Sequence, residues 1–183
     1  RGQRADYDSW AQQGNRGWGF SAVLPYFKRA ERRVGEGDDV FRGRDGALTV
    51  TDIDWSHPLC EAFIAGANGL GIPSNQDYNG ARQDGVSYTQ CIIHKHQRVS
   101  AYRAFLHQRR GQANVDIRTD AHTSKILLKN RRATGVRYLQ GDHEVELSAR
   151  REVILCGGTV NSPQLLQLSG IGPGALLRDI GVD

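Results

Sequence analysis

Methionine is absent from all 183 residues, and the chain starts at Arg1. Because translation begins with methionine, we expect the sequence to be an internal piece of a longer polypeptide. Cysteine is scarce as well, since only Cys60, Cys91 and Cys156 occur and they are widely spaced. An odd, scattered set of three does not form a disulfide framework, which favours a reducing compartment and predicts a cytoplasmic location.

Long apolar runs and a strong charge imbalance are also missing. No stretch approaches the roughly 18 apolar residues of a membrane span and no signal peptide is visible, so we expect no span in this segment. Lys and Arg number 24 against 20 Asp and Glu. A nucleic-acid-binding protein gathers positive charge on one face, but the densest cluster, 28–33, contains Glu31, and the pair Arg109–Arg110 is isolated. We interpret both as solvated helix ends and predict no nucleic-acid partner.

The first 113 residues show helical patterns separated by polar loops. Glycine is frequent, with 22 residues in the chain, and it interrupts most of the apolar patterns. Apolar spacing and capping residues predict the helices, alternation predicts the strands, and Gly-rich or polar composition predicts the loops. The predicted helices are 7–14, 21–33 with Ser21 as N-cap and Pro25 in the first turn, 58–68, and one beginning at Ser100; the strands are 47–51 and 86–92; the loops are 34–46 and 71–85.

The last 70 residues are more regular and predict a small sheet. Alternating residues predict a strand at 115–119, followed by three more at 123–129, 134–140 and 144–149. The turns between the last three are short, so these strands must be antiparallel neighbours in a three-stranded meander.

A different kind of strand follows the meander. Residues 153–156 are continuously apolar, which is typical of a strand covered on both faces in a doubly wound α/β sheet. Gly157 and Gly158 come next, and a helix is predicted over 162–168. Ligands of such sheets bind at the carboxyl ends of strands, where glycine allows close backbone approach. The glycine pair is therefore the best candidate site, although a tight turn without a ligand explains it equally well.

Other candidate sites have simpler explanations. In the segment 91–96, strand alternation places His94 and His96 on one face and Cys91 on the other, so no metal site is predicted. Cys156 at the end of an apolar strand reads as a small buried hydrophobe without a base beside it. Residues 170–175 fit the pattern Gly-x-Gly-x-x-Gly/Ala, but they follow a helix rather than a strand, and we interpret them as a helix end and a new helix start.

One continuous motif resembles a known family. Residues 158–172 read Gly-Thr-Val-Asn-Ser-Pro-Gln-Leu-Leu-Gln-Leu-Ser-Gly-Ile-Gly and match every constrained position of the second signature of the glucose–methanol–choline (GMC) oxidoreductases. The choline-dehydrogenase-like branch is the most similar. The chain then resembles an incomplete N-terminal FAD-binding domain, with lid and connecting segments in 1–113 and the meander with its return to the parallel sheet in 114–183. Four further stretches fit the same family: 1–10, 14–18, 24–28 and 98–101.

This resemblance implies a cofactor and the residues that hold it. The fold would be mixed α/β, part of a doubly wound FAD-binding fold with an inserted antiparallel meander. In the family, the main chain of the residue corresponding to Thr123 holds the adenine, and Gly157 and Gly158 pass close to the dinucleotide. The family's catalytic histidine would lie beyond Asp183, so no catalytic residue is assigned within the chain.

The implied reaction is oxidation of a small-molecule alcohol by hydride transfer to the flavin, with an electron acceptor that the sequence does not identify. Two alternatives remain open. Some family members are hydroxynitrile lyases, which keep FAD without net redox chemistry, and the chain could also be a non-catalytic remnant. By itself the fragment is expected to be inactive.

Overall fold

The computed structural model describes residues 1–182 and divides them into two units, one covering Arg1–Val115 and the other beginning at Asp116. The first unit consists of short elements separated by irregular backbone. None of the helices within residues 1–182 is long and apolar enough to cross a membrane. In chain order, the elements of the first unit are helix α1 (Arg4–Gln12), helix α2 (Phe20–Ala30), strands β1 (Glu31–Arg33) and β2 (Leu48–Val50), helix α3 (Pro58–Gly69), strands β3 (Ile93–His94) and β4 (Gln97–Arg98), a π-helical turn (Tyr102–Leu106) and a 3-10 turn (His107–Arg109).

The charged run 28–33 does not form the solvated helix end that its composition predicts. Helix α2 stops at Ala30, and the next three residues form β1, which pairs in parallel with β2. Glu31 and Arg33 are buried, with 6% and 4% of their surface exposed. The helix prediction is wrong here because both charges have partners inside the fold. Arg33 donates two short hydrogen bonds to Asp52, at 2.6 and 2.7 Å.

The loop 34–46 is likewise less exposed than predicted, because Arg42 reaches from it into the interior. The guanidinium of Arg42 is completely buried and donates to both carboxylate oxygens of Glu31, at 2.7 and 3.0 Å. It also donates to Asp77 and to Gln90. Desolvation lowers the pKa of Arg42, but the hydrogen bonds and charges of Glu31 and Asp77 outweigh it and hold the pKa above its ordinary value.

Two helices of the first unit are shifted from their predicted bounds, and α1 lies at Arg4–Gln12 rather than at 7–14. The prediction for α3 is confirmed. Helix α2, however, begins at Phe20 rather than after Ser21, because Gly19 is the N-cap and Asp8 accepts a 2.9 Å hydrogen bond from the Phe20 N–H. Pro25 therefore lies within the helix instead of in its first turn.

The predicted strand at 86–92 is wrong, and the predicted helix from Ser100 takes another form. Several main-chain groups of 86–92 form hydrogen bonds with separate loop segments rather than with one neighbouring strand. The Gln90 N–H, for example, donates to the Tyr78 hydroxyl at 2.9 Å. Strand pairing in this stretch is limited to two isolated β-bridges, Thr51–Cys91 and Ser74–Val86. The segment after Ser100 forms the π-helical and 3-10 turns.

The meander predicted in the second unit is confirmed. Three antiparallel strands lie in the order β5-β6-β7, with β5 and β7 at the edges. Helix α4 packs against β5, and the buried apolar residues described for this unit are Ile126, Tyr138 and Leu177. The elements of this unit are β5 (Ala121–Lys129), β6 (Arg132–Gln140), β7 (His143–Ser148), α4 (Gly158–Leu168) and α5 (Gly174–Asp179).

Two strands predicted beside the meander are not formed. Residues 115–119 and 153–156 have extended or irregular backbone without strand pairing. A strand requires hydrogen bonds to a neighbour, and no strand among residues 1–182 lies alongside either stretch. Ile154 consequently has 74% of its surface exposed, although its apolar neighbours are typical of a buried strand.

Candidate functional site

The turn that opens α4 depends on its two glycines. Gly157 is the N-cap, and its N–H donates to the side-chain oxygen of Ser162 at 3.0 Å. A β-carbon on Gly157 would lie only 3.2 Å from Asn161 and from Ser162. Gly158 has φ of +84°, a conformation that a residue with a side chain rarely adopts. The turn therefore favours glycine at both positions, through close packing at Gly157 and through the positive φ at Gly158.

The outer side of this turn is open. A β-carbon built on Gly158 would meet no atom within 4 Å, and Val160, two residues further along the helix, has 74% of its surface exposed. The N–H groups of the first helical turn have no acceptor within the helix. A polar or anionic group of a ligand could therefore approach the main chain of Gly158 and accept hydrogen bonds from these N–H groups.

Thr123 presents its main chain at an open sheet edge. It lies opposite Tyr138 on the edge strand β5, and a β-bulge at Ser124 interrupts the pairing immediately after it. The N–H of Ile126 points to the open edge, since it donates to Ser169 at 2.8 Å. In a regular strand the main-chain groups of successive residues point to opposite sides, so those of Thr123, three residues before Ile126, would point towards β6. The bulge adds one residue between them and reverses the direction of the Thr123 main-chain groups. We infer that the N–H and C=O of Thr123 both face outwards.

Ser169 connects this edge to α4. Its hydroxyl accepts the hydrogen bond from Ile126 and donates to the Leu165 carbonyl at 2.6 Å. The end of α4 thus covers one part of the β5 edge, while within residues 1–182 no hydrogen bond from outside the sheet reaches the main chain of Thr123. Thr123 and the Gly157–Gly158 turn belong to one unit and are linked through α4, although no hydrogen bond joins them directly. Sequence patterns do not single out Ser169, because a serine after a helix carries no signal of its burial.

The remaining candidates contribute no site. His94 and His96 are exposed at the β3–β4 hairpin, and no group of three or more possible metal ligands occurs in residues 1–182. Cys156 is exposed rather than buried, because 153–156 is not covered, so its interpretation as a buried hydrophobe is wrong. The Gly-rich stretch 170–175 ends α4 and starts α5, as predicted.

Comparison with known proteins establishes the family. The sequence model of the GMC oxidoreductases matches residues 1–181. The chain belongs to this family. An oxygen-dependent choline dehydrogenase of Photobacterium profundum is 41% identical over the whole chain, and an alcohol dehydrogenase (acceptor) of Pseudomonas putida is 40% identical. The chain spans 32% and 33% of these relatives, about a third of their length.

Solved structures of oxidoreductases contain the same fold. An FAD-dependent oxidoreductase from Chaetomium thermophilum superimposes on the whole chain with a TM-score of 0.87 at 31% identity. A pyridoxine 4-oxidase from Mesorbium loti gives a TM-score of 0.88 at 32% identity. The chain covers 34% and 36% of these structures. They confirm the prediction of a mixed α/β fold that forms part of a doubly wound FAD-binding architecture.

Proposed function

We propose that this chain supplies part of the FAD-binding domain of an oxidoreductase that oxidises a small alcohol. The family implies FAD as the cofactor, and the observation that carries the proposal is the open glycine turn at 157–158 within the family's signature motif. On this proposal, residues 1–113 form the lid and connecting segments, and 114–183 form the meander and its return to the parallel sheet. The proposed substrate is a primary alcohol of the choline type.

The chain's own residues would position the cofactor rather than perform the reaction. The outward N–H and C=O of Thr123 form a donor–acceptor pair of the kind that an adenine edge can match. Gly157 and Gly158 leave the backbone bare, so that the dinucleotide can approach the start of α4. When bound, FAD supplies the hydride acceptor for alcohol oxidation. We assign no general base to this chain.

Anaerobic mixing of the purified full-length protein with alcohols tests the proposed reaction. Choline, pyridoxine and a simple primary alcohol form a suitable panel, because the names of the relatives include these substrate classes. We expect a bound flavin whose oxidised absorbance disappears with at least one of them. A bound flavin that no alcohol reduces would support the hydroxynitrile-lyase alternative. A colourless protein that does not take up added FAD would instead indicate a non-catalytic remnant.

Replacing Thr123 with proline tests the adenine contact. Proline removes the N–H and is tolerated on an edge strand where that N–H faces away from the sheet. Losing one hydrogen bond to a buried acceptor should weaken FAD binding by roughly tenfold or more. Titration of the apoprotein with FAD, followed by flavin fluorescence, measures this change.

The matched control is Thr123→Val, which keeps the N–H and the β-branched shape. We expect this variant to bind FAD like the unmodified protein, because the contact uses the main chain. Thermal melting of both variants verifies that they are folded. Equal FAD affinity of a folded Thr123→Pro variant would rule out the adenine contact at this position.

A further inference from the structure

Ser169 is a buried polar residue that neither of the proposed cofactor contacts uses. It is the C-cap of α4, and only 6% of its surface is exposed. Its hydroxyl accepts a 2.8 Å hydrogen bond from the Ile126 N–H and donates one of 2.6 Å to the Leu165 carbonyl. One hydroxyl is therefore bonded both to the edge strand β5 and to the last turn of α4.

The bond between Ser169 and Ile126 fixes the helix against the strand. Among residues 1–182, no other hydrogen bond joins α4 or its C-cap to β5, and the two elements otherwise only pack together. Apolar packing has no preferred direction, whereas a hydrogen bond requires its donor and acceptor to be aligned. The Ser169 hydroxyl therefore determines where α4 lies along the strand.

This link lies between the two proposed cofactor contacts. Thr123 is three residues before Ile126 on β5, which is roughly 10 Å along a strand. The other contact, the turn at Gly157 and Gly158, is at the opposite end of α4. The helix has 11 residues and is therefore about 16 Å long. The separation of the two contacts depends on how the far end of α4 is held against β5.

We propose that Ser169 is a positioning residue, which holds the two contacts at the separation that a dinucleotide requires. Since both contacts belong to the proposed FAD site, this role rests on the proposed function. A ligand that joins two binding groups gains affinity only where both can be engaged together. Without the link, FAD would have to order helix and strand as it binds, and its affinity would fall. A ligand that reaches one contact would lose nothing.

Titration of the full-length apoprotein with FAD, adenosine and FMN tests this role. We expect Ser169→Ala to weaken FAD binding by roughly tenfold, because the Ile126 N–H loses its acceptor and the link is broken. Binding of adenosine and of FMN, each measured as a competitor of FAD, should change by less than about twofold. A serine that only satisfies a buried N–H would lower the melting temperature without this difference between ligands.

Two further variants separate positioning from stability. Thr134→Val removes a 3.2 Å hydrogen bond from the Thr134 hydroxyl to the Leu127 carbonyl, but that bond joins two strands of the meander. This control should melt at a lower temperature and bind FAD within about twofold of the unmodified protein. Ser169→Cys keeps a weaker donor and acceptor of similar size. Its FAD affinity should lie between those of serine and alanine, about threefold below the unmodified protein.

Thermal melting shows which variants are folded, and Ser169→Cys replaces Ser169→Ala in the titrations if the alanine variant is not. Unchanged FAD affinity of the folded variant would overturn the role of Ser169 and leave the proposed function intact. Equal losses for adenosine and FAD would also overturn it, because Ser169 would then shape only the adenine edge. An unmodified full-length protein that binds none of the three ligands would overturn the proposed function and the positioning role together.

Discussion

Replacing Arg42 with methionine is expected to lower the free energy of unfolding by about 3–5 kcal/mol. The Arg42 side chain has no exposed surface, and its guanidinium contacts Glu31, Asp77 and Gln90. Methionine fills much of the volume but leaves two carboxylates without their main cation. Glu31 has only 8% of its side chain exposed, so its charge cannot be solvated. Asp77 already has one buried oxygen without a hydrogen-bond partner.

Arg1 cannot substitute for Arg42. It donates to Glu31 at 2.6 Å, but desolvation lowers the pKa of Arg1 despite the charge of Glu31, so its own burial is already costly. Arg16→Met is the control, because Arg16 is exposed and has no side-chain partner in the described residues. That variant should change stability by no more than about 0.5 kcal/mol. Chemical denaturation measures both variants, and equal midpoints would show that the buried ion pairs contribute nothing.

Replacing Gly43 with alanine is expected to cost about 3 kcal/mol or more. A β-carbon at this position would lie 1.9 Å from the carbonyl oxygen of Lys28 and 2.7 Å from that of Glu31. Both atoms belong to the main chain, so neither can move aside without displacing the end of α2 or β1. Gly43 also accepts a 2.8 Å hydrogen bond from the Arg33 N–H, and that contact would be broken.

Gly66→Ala is the opposite case and serves as the control. A β-carbon on Gly66 would meet no atom within 4 Å, and this residue lies inside α3. Alanine is the better helix former by about 1 kcal/mol, so this variant should become more stable. A lower melting temperature for Gly43→Ala together with a higher one for Gly66→Ala would verify the close approach at Gly43. Destabilisation by both substitutions to the same extent would contradict it.

Local patterns predicted those parts of the chain whose neighbours lie close in sequence. The meander follows from alternation and short turns, because adjacent strands can pair only with each other. Helix α3 follows from its apolar spacing and from Pro58 at its start. The second signature predicted the family, because its fifteen residues combine the turn at Gly158 with the helix behind it.

Contacts distant in sequence could not be predicted in the same way. In the sequence, Arg42 is one of several charged residues in a polar loop, and nothing in that pattern indicates burial. Its burial follows from contacts with Asp77 and Gln90, which are 35 and 48 residues away. Similarly, the bulge at Ser124 turns the main chain of Thr123 outwards, and a strand pattern shows no bulge.

The amino-acid sequence alone determined helix α3, the meander and the membership of the family, because periodicity, turn residues and a continuous motif are local properties. The tertiary structure alone decided which charges are buried and which sheet edge is open. Burial and pairing depend on residues that the chain brings together across long separations. The composition gives the number of such residues, but it does not show which of them are in contact.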